Sequence, residues 1–493
     1  MSRHTSLPLL ALWLACAPCH AQDDMRTFTN LEGKTMQARV LSYENGQVKI
    51  QRADGATFTL SADTLTEPDR NFLGEWKRLS ALKPAIGSTA SPGMSANAKV
   101  SPSEINQALG QTIFEGEGPL WQQKAEDVAA RLKWRRESQT PTLSSFRKYP
   151  GENERFAGAR PYSAALYGEN GKTANLSLVY ANKGDFFGAK GSGEQHFDKD
   201  KPPPDALSSL KAAIKADADA IAKALGKVLG APQKQNYGEG ESRRPVQRWD
   251  WLGHAFILSE EPEQYAALAI VPSDFADQRG KTARVSDASV RERIRASVER
   301  RPNGDVVVGS IPMVDQGPKG YCAPATCERA MRHVGMAADM YLLAVAGGTG
   351  LGGGVAVERM LDTVGRDIRR KGRSFETFNG SLNMRKITRF LDAGLPVLWR
   401  MDSVKAFNDV ANRRTKARKS VTDWAEWKKQ IASDEAKIVS DDSALHCTLI
   451  IGYNAETGEV AFSDSWGENY TERWVRVEEA EAVSNGGFYV IGL

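Results

Sequence analysis

A glutamine, a cysteine, a histidine and an aspartate occur in that order in the C-terminal part of this 493-residue chain. Gln316 stands six residues before Cys322, and His446 and Asp464 follow far downstream. A thiol becomes a good nucleophile only when it ionises, and a neighbouring imidazole can take up its proton. A fold that uses these residues must bring four distant side chains to one place, which restricts the architecture more than any other feature.

The residues after Cys322 predict a helix. Pro324 suits the first turn of a helix, and Gly335, just after Val334, is a typical stop signal. Cys322 would then lie at the positive end of the helix dipole, which favours a thiolate. Gln316 falls on the preceding loop, where its amide and the backbone N–H of Cys322 could bind an oxyanion.

The residues around the histidine predict a β-hairpin. Residues 448–453 form an apolar run of strand type, residues 454–459 have turn composition, and residues 460–462 form a second short strand. His446 opens the first strand and Asp464 closes the second, about one or two rungs apart in the ladder. Asp464 could therefore hold the imidazole in one tautomer, as the third member of a catalytic triad does.

The segment from about Gly309 to the end resembles the papain-like superfamily, and most closely the bacterial double-glycine peptidases that process bacteriocins. The resemblance rests on the Gln-to-Cys spacing, on the His-Cys-Thr-Leu-Ile-Ile-Gly-Tyr run from His446, and on Asp464-Ser-Trp-Gly, which replaces Asn-Ser-Trp-Gly. Aspartate at that place is usual in the bacteriocin-processing branch. The resemblance implies a papain-like α+β cysteine peptidase domain over residues 305–493. It implies that Cys322 is the nucleophile and His446 the base. Asp464 would orient the imidazole, and Gln316 would donate to the oxyanion.

Two alternatives stay open at this stage. A transglutaminase-like enzyme would use the same triad to transfer the acyl group to an amine, and a catalytically dead binding protein would keep only the fold. Tyr321 and Ala323 also differ from the residues around the papain cysteine, so papain's own specificity is not expected. Cys327 and Cys447 are predicted to be structural, because Cys327 lies a helical turn further on and Cys447 points to the opposite strand face from His446.

The first residues have the pattern of a secretory signal peptide. Two basic or weakly basic residues precede an apolar run, and small residues then lead to Ala21. We predict a signal peptide over residues 1–21, cleaved after Ala21, and a secreted or periplasmic protein. Lipoprotein anchoring at Cys16 is the less favoured alternative, because Trp13 stands where a smaller aliphatic residue is usual. The apolar run is too short to span a bilayer.

Residues 23–78 predict a small β-barrel. Their apolar residues alternate as in strands, and Asn45-Gly46 and Asp54-Gly55 are hairpin turns. The segment resembles the Sla-type homology domain, a small Src-homology-like barrel that recurs in bacterial exported proteins. That resemblance implies a possible peptide or protein ligand. It is carried by the following residues: Arg26-Thr-Phe-Thr29, Gly33-Lys34, Ala38, Val40, Ala53-Asp-Gly55, Leu65 and Asp69.

The rest of the chain divides by composition into three segments. Residues 79–103 are rich in proline, glycine and serine and predict a flexible linker. Residues 104–276 mix helical and strand patterns and predict a second α+β domain with no recognisable chemistry. Residues 277–304 are charged and predict a helical connector. The predicted fold is therefore multidomain α+β, and a fragment that begins near Arg301 should fold as one domain and carry the whole site.

Composition excludes several functions. The 65 basic and 61 acidic residues are too balanced to indicate nucleic-acid or membrane binding. The mature chain keeps three cysteines and shows no metal-binding spacing, so neither a disulfide scaffold nor a metal nor another cofactor is expected. The glycine run at residues 348–354 lacks the strand and the acidic partner of a dinucleotide site. The basic run at residues 413–419 is predicted to be a solvated helix face, with a lid as the alternative.

Overall fold

The computed structural model describes residues 26–44, 46–52, 56–81, 100–186, 205–238, 243–279, 287–317, 320–348, 357–434 and 444–493. The predicted signal peptide, nearly all of the predicted linker and most of the glycine run lie outside these residues. The chain divides into two compact units, Met1–Ala90 and Ser91–Leu493.

The N-terminal unit contains one antiparallel sheet. Its strands pair in chain order and are followed by helix α1; the elements are β1 Arg26–Thr29, β2 Thr35–Glu44, β3 Gln47–Arg52, β4 Thr57–Ser61 and α1 Glu67–Ala81. Alternate residues such as Val48 and Ile50 face the core, as the period of a strand requires.

The predicted barrel is not closed in the described part of this unit. β1 pairs along its length only with β2, and β4 pairs only with β3. A single bridge between Asn30 and Leu65 joins the end of β1 to the segment after β4. A closed barrel needs a continuous ladder between the first and last strands, and one bridge does not supply it.

The second unit begins with a large antiparallel sheet that we call the middle sheet. Its order is β5-β6-β7-β8-β12-β11-β10-β9. The strands are β5 Arg135–Gln139, β6 Leu143–Lys148, β7 Ser163–Glu169, β8 Lys172–Asn182, β9 Gln233–Tyr237, β10 Arg244–Trp251, β11 His254–Glu261 and β12 Tyr265–Pro272. The helices are α2 Pro102–Leu109, α3 Ala125–Leu132, α4 Lys183–Phe186, α5 Ala206–Leu229 and α6 Ser273–Asp277. The long helix α5 buries Ile214, Ile221 and Leu225 against the sheet. The predicted α+β character of this segment is confirmed.

The C-terminal segment folds around a second antiparallel sheet, with the order β13-β14-β17-β16-β20-β15, to which β18 and β19 are attached beside β17. The strands are β13 Val298–Arg300, β14 Asp305–Val308, β15 Ser374–Asn379, β16 Val397–Ser403, β17 Ala444–Asn454, β18 Glu459–Ser463, β19 Arg473–Arg476 and β20 Ser484–Gly492. The helices are α7 Asp287–Ala296, α8 Cys322–His333, α9 Met340–Ala346, α10 Val357–Arg370, α11 Met384–Asp392, α12 Lys405–Arg418, α13 Trp424–Ser433 and α14 Val477–Val483.

The charged connector is helical as predicted, but it is packed into the C-terminal core. Val290 and Ile294 of α7 are buried with residues of α8 and β17, and β13 pairs with β14. The charged composition of the segment did not indicate this packing. Two apolar residues four positions apart are enough to bury one face of a short helix. The boundary predicted at residue 304 therefore separates residues that share one core.

The basic run of α12 matches its predicted solvated face only in part, because Arg413, Lys416 and Lys419 are exposed but two arginines are not. Arg414 pairs with Glu479 and Arg418 pairs with Asp305 and Glu459, and both arginines are buried. Buried arginine is stable only when its charge is paired, and three carboxylates provide that pairing. Helix α12 is thereby fixed to the sheet that carries the histidine strand.

Candidate active site

Cys322 is the first residue of α8, as the sequence predicts. The helix ends at His333, and Gly335 follows with a φ of 75° that glycine adopts without strain. Cys322 is partly exposed, whereas the rest of α8 is buried. The thiol thus lies at a positive helix end, an environment that favours the thiolate.

His446 and Asp464 meet through the predicted hairpin. β17 and β18 pair so that Leu449 lies opposite Ser463, which brings the next residue, Asp464, towards His446. Nε2–H of His446 donates to Oδ1 of Asp464 at 2.7 Å. The imidazole also interacts with the thiol of Cys322, and this interaction shifts the pKa of both groups. The indole of Trp466 stacks on the imidazole, with 4.8 Å between ring centroids.

The electrostatics of the site favour a thiolate-imidazolium pair. Burial alone would lower the pKa of His446, but its hydrogen bonds to Asp464 and Cys322 raise that pKa to about 9. Burial alone would raise the pKa of Cys322, but the hydrogen bond to His446 and the charge of its ring bring that pKa below the ordinary thiol value. Both shifts stabilise the charged forms, because each group supplies the counter-charge for the other.

Two further side chains hold α8 against the hairpin. Thr326 donates its hydroxyl to the carbonyl of Cys447 at 3.0 Å, next to His446. Arg329, fully inside the protein, donates to the carbonyls of Pro312 and Ser463 at 3.0 and 3.1 Å. The relative position of thiol and imidazole is therefore set by contacts one and two turns into the helix.

Arg473 is a functional candidate that sequence reasoning missed. Its guanidinium donates to Oδ2 of Asp464, with the Nε contact at 3.1 Å, and Asn408 and Asn412 of α12 accept its other protons. Asp464 is completely buried, and burial alone would raise its pKa, but His446 and Arg473 hold that pKa below the usual value. The available signal was an arginine at the start of the short strand Arg473–Arg476, a placement too common to single the residue out.

Gln316 lies on the loop before α8 and is buried. Its backbone N–H donates to the carbonyl of Ser465 at 2.9 Å, directly after Asp464. The structure therefore brings Gln316 to the segment that carries Asp464, and Asp464 in turn contacts His446 and, through it, Cys322. All four residues singled out from the sequence lie in one connected set of contacts.

The remaining candidates take structural positions. Cys327 and Cys447 are buried free thiols, and burial raises the pKa of both, that of Cys327 to about 12. His254 is a core residue whose Nε2 accepts from the backbone of Leu120, and burial lowers its pKa to about 4. His196 lies outside the described residues. Within the described ranges, no cluster of metal-ligating side chains occurs, and no helix is long and apolar enough to cross a membrane.

A thiol at a helix N-terminus beside an imidazole and a carboxylate is consistent with a papain-like fold. Residues 308–486 match the model of the Peptidase_C39 like family, which supports a C39-type cysteine peptidase as the C-terminal domain. The match runs from the end of β14 into β20 and includes Gln316, Cys322, His446 and Asp464. No curated protein matches the chain.

Proposed function

We propose that the C-terminal domain hydrolyses peptide bonds with Cys322 as nucleophile. The observation that carries the proposal is the single imidazole of His446, which is hydrogen-bonded both to the thiol of Cys322 and to the buried carboxylate of Asp464. This arrangement supplies a thiolate, a proton donor for the leaving amine, and a group that orients the donor.

The reaction proceeds in two halves. The thiolate of Cys322 attacks the carbonyl carbon of the scissile bond, and the tetrahedral intermediate collapses to a thioester as His446 gives its proton to the leaving amine. Neutral His446 then takes a proton from water, and the resulting hydroxide attacks the thioester to release the acid and restore the ion pair. The amide of Gln316 and the backbone N–H of Cys322 donate to the oxyanion in both halves.

The cellular setting is part of the proposal. The signal peptide over residues 1–21 would direct the chain to a secreted or periplasmic location. There the Sla-type domain would bind a peptide or a protein and so bring substrate to the peptidase domain. These proposals rest on the sequence patterns alone.

Peptide cleavage and mapping of the labelled cysteine test the proposed function together. The mature chain should cleave fluorescein-labelled casein and should react with an epoxide peptide probe at Cys322, as mapped by mass spectrometry. Cys322→Ala should abolish both signals, whereas Cys447→Ala, which removes the neighbouring buried thiol, should preserve them.

The two alternative functions, a transglutaminase and a binding protein, predict different results in the same assays. Ammonia release and amine incorporation without peptide cleavage would indicate a transglutaminase. A folded wild-type chain that neither cleaves casein nor labels at Cys322 would indicate a binding protein and overturn the proposal.

A further inference from the structure

The peptide bond between Asp315 and Gln316 is held from two sides. Its carbonyl, on Asp315, accepts from the hydroxyl of Tyr149 at 2.6 Å, and its N–H, on Gln316, donates to the carbonyl of Ser465 at 2.9 Å. Tyr149 directly follows β6 of the middle sheet, whereas Ser465 directly follows Asp464. The plane of this peptide determines where the Gln316 side chain starts, so the middle sheet contributes to the direction of that side chain.

The edge strand of the middle sheet binds the same loop at two more points. Oε1 of Glu137 accepts from the backbone N–H of Asp315 at 2.7 Å, and the hydroxyl of Ser138 accepts from that of Met313 at 2.9 Å. Both residues lie in β5, where the pairing with β6 slips at Glu137. This bulge allows two consecutive side chains to be buried on the same side, which a regular strand does not permit.

The groups that hold the loop are themselves fixed. Glu137 pairs with Arg147 at 2.5 Å, and Arg147 also donates to Ser163 at 3.0 Å, so the acceptor carboxylate keeps one orientation. Burial raises the pKa of Tyr149, which keeps the proton that its hydroxyl donates. Gly317 has a φ of 63°, and a Cβ there would come within 2.7 Å of the Tyr149 ring, so the glycine lets the ring lie against the loop.

We infer that Tyr149, Glu137 and Ser138 position Gln316 for oxyanion binding, and that the middle sheet is therefore part of the peptidase site. We call these three residues the Gln316 clamp. The inference rests on the proposed function for the role of Gln316, but the contacts between clamp and loop stand independently of it. Tyr149 acts through Gln316 and is a positioning residue, because its hydroxyl is used by the Asp315 carbonyl.

Tyr149→Phe tests the clamp in the full-length mature chain. The variant should lower kcat for fluorescein-labelled casein by about tenfold or more with KM unchanged, because a misplaced oxyanion donor weakens only the transition state. Alkylation of Cys322 by iodoacetamide should keep its rate and pH profile, because displacement of iodide forms no oxyanion. Tyr180→Phe is the matched control: it removes a buried tyrosine hydroxyl that donates to the Phe156 carbonyl at 3.0 Å in the same sheet, away from the loop. It should leave kcat unchanged.

A double-mutant cycle separates positioning from general stability. In a Gln316→Ala background, Tyr149→Phe should cause little further loss, because the donor that it positions is already absent. Ser138→Ala should behave in the same way and serves if the tyrosine variant does not fold. Additive losses of kcat in the cycle, or wild-type kcat in both folded clamp variants, would overturn the inference.

Hydrogen exchange gives a readout that does not depend on turnover. The amides of residues 313–317 should exchange faster in Tyr149→Phe than in Tyr180→Phe, because the loop loses one of its ties. A wild-type chain without peptidase activity would overturn the proposed function, and the exchange rates would still decide whether the clamp holds the loop. Unchanged exchange together with unchanged kcat would show that it does not.

Discussion

Asp464 replaces the asparagine of papain itself, and its surroundings explain how a charge is tolerated there. One carboxylate oxygen binds His446 and the other binds Arg473, so the buried negative charge faces a permanent positive charge. The guanidinium also lies over the rings of Phe462 and Trp466, at 4.6 and 5.2 Å from their centroids. Asp464 can therefore orient the imidazole and also raise its pKa, whereas an asparagine could only orient it.

The pH dependence of Asp464→Asn tests both roles. In the wild type, kcat/KM should rise through the lowered pKa of Cys322 and fall near pH 9, where His446 loses the proton that the leaving amine needs. Asp464→Asn removes the charge that favours the imidazolium, so the alkaline limb should move to lower pH while substantial turnover remains. Asp464→Ala should lose on the order of 10²-fold or more in kcat, because the tautomer is no longer held.

A control for the Asp464 variants must separate loss of activity from loss of stability, and Arg473 provides it. Asp464→Asn leaves a buried arginine without its counter-charge, a change that typically costs about 3–5 kcal/mol in the free energy of unfolding. Asp464→Asn combined with Arg473→Gln should recover much of that loss in urea unfolding. If the Asn and Ala variants prove equally inactive although the Asn variant is folded, orientation alone does not explain the role of Asp464.

At the scale of elements, helix α12 shows how a charged segment can belong to the core. Its buried arginines are four residues apart, so both lie on the face turned towards β18, β19 and α14. Asn408 on the same helix accepts from Arg473 at 3.0 Å, which connects α12 to the residue that neutralises Asp464. One face of the helix therefore packs against the elements that carry the site, whereas Arg413 and Lys416 lie on the solvated face that its composition indicates.

Two neighbouring arginines of α12 make a matched pair for stability. Arg414→Met should lower the free energy of unfolding by about 3 kcal/mol, the low end for a broken buried pair, because buried Glu479 would keep only the partly exposed Arg476 as its partner. Arg413→Met breaks an exposed pair with Asp434 and should cost about 0–1 kcal/mol. Urea unfolding of both variants measures the difference. Equal midpoints would mean that the buried pair contributes nothing beyond what a surface pair does.

At the scale of the whole molecule, the middle and C-terminal segments form one compact unit. Val179 of β8 packs in one hydrophobic cluster with Val314 and Tyr321 of the loop before α8, and the Tyr321 hydroxyl donates to Asn182 at 2.9 Å. The fragment beginning near Arg301 would lose these contacts, the Gln316 clamp, and the two buried residues of α7. The sequence suggests that the middle and C-terminal segments fold independently, whereas in the structure they bury residues against each other.

Two truncated chains test this organisation. A chain of residues 91–493 retains the whole second unit and should cleave fluorescein-labelled casein at close to the rate of the mature chain. A chain of residues 301–493 should be less stable and more than tenfold slower, which corresponds to over about 1.4 kcal/mol of lost transition-state stabilisation. Rates within tenfold for the shorter chain would support independent folding, and a faster rate would indicate that the middle sheet is inhibitory.

The local parts of the site were readable from the sequence. The start of α8 at Cys322, its end before Gly335, and the hairpin that joins His446 to Asp464 all follow from apolar periodicity and turn residues in segments of at most 18 positions. Whether the N-terminal strands close into a barrel could not be predicted in this way, because closure depends on pairing between the first and last strands of the unit.

The sequence by itself singled out Cys322, His446 and Asp464, because those residue types at those places have one common chemistry. Only the tertiary structure decided that Arg473 neutralises Asp464, that Glu137 and Tyr149 hold the loop of Gln316, and that Arg414 is buried. These contacts join residues from separate elements. Glu137 and Tyr149 lie more than 160 positions before the loop residue that they contact. Local patterns specify which face of an element is buried, but they do not specify which other element covers it.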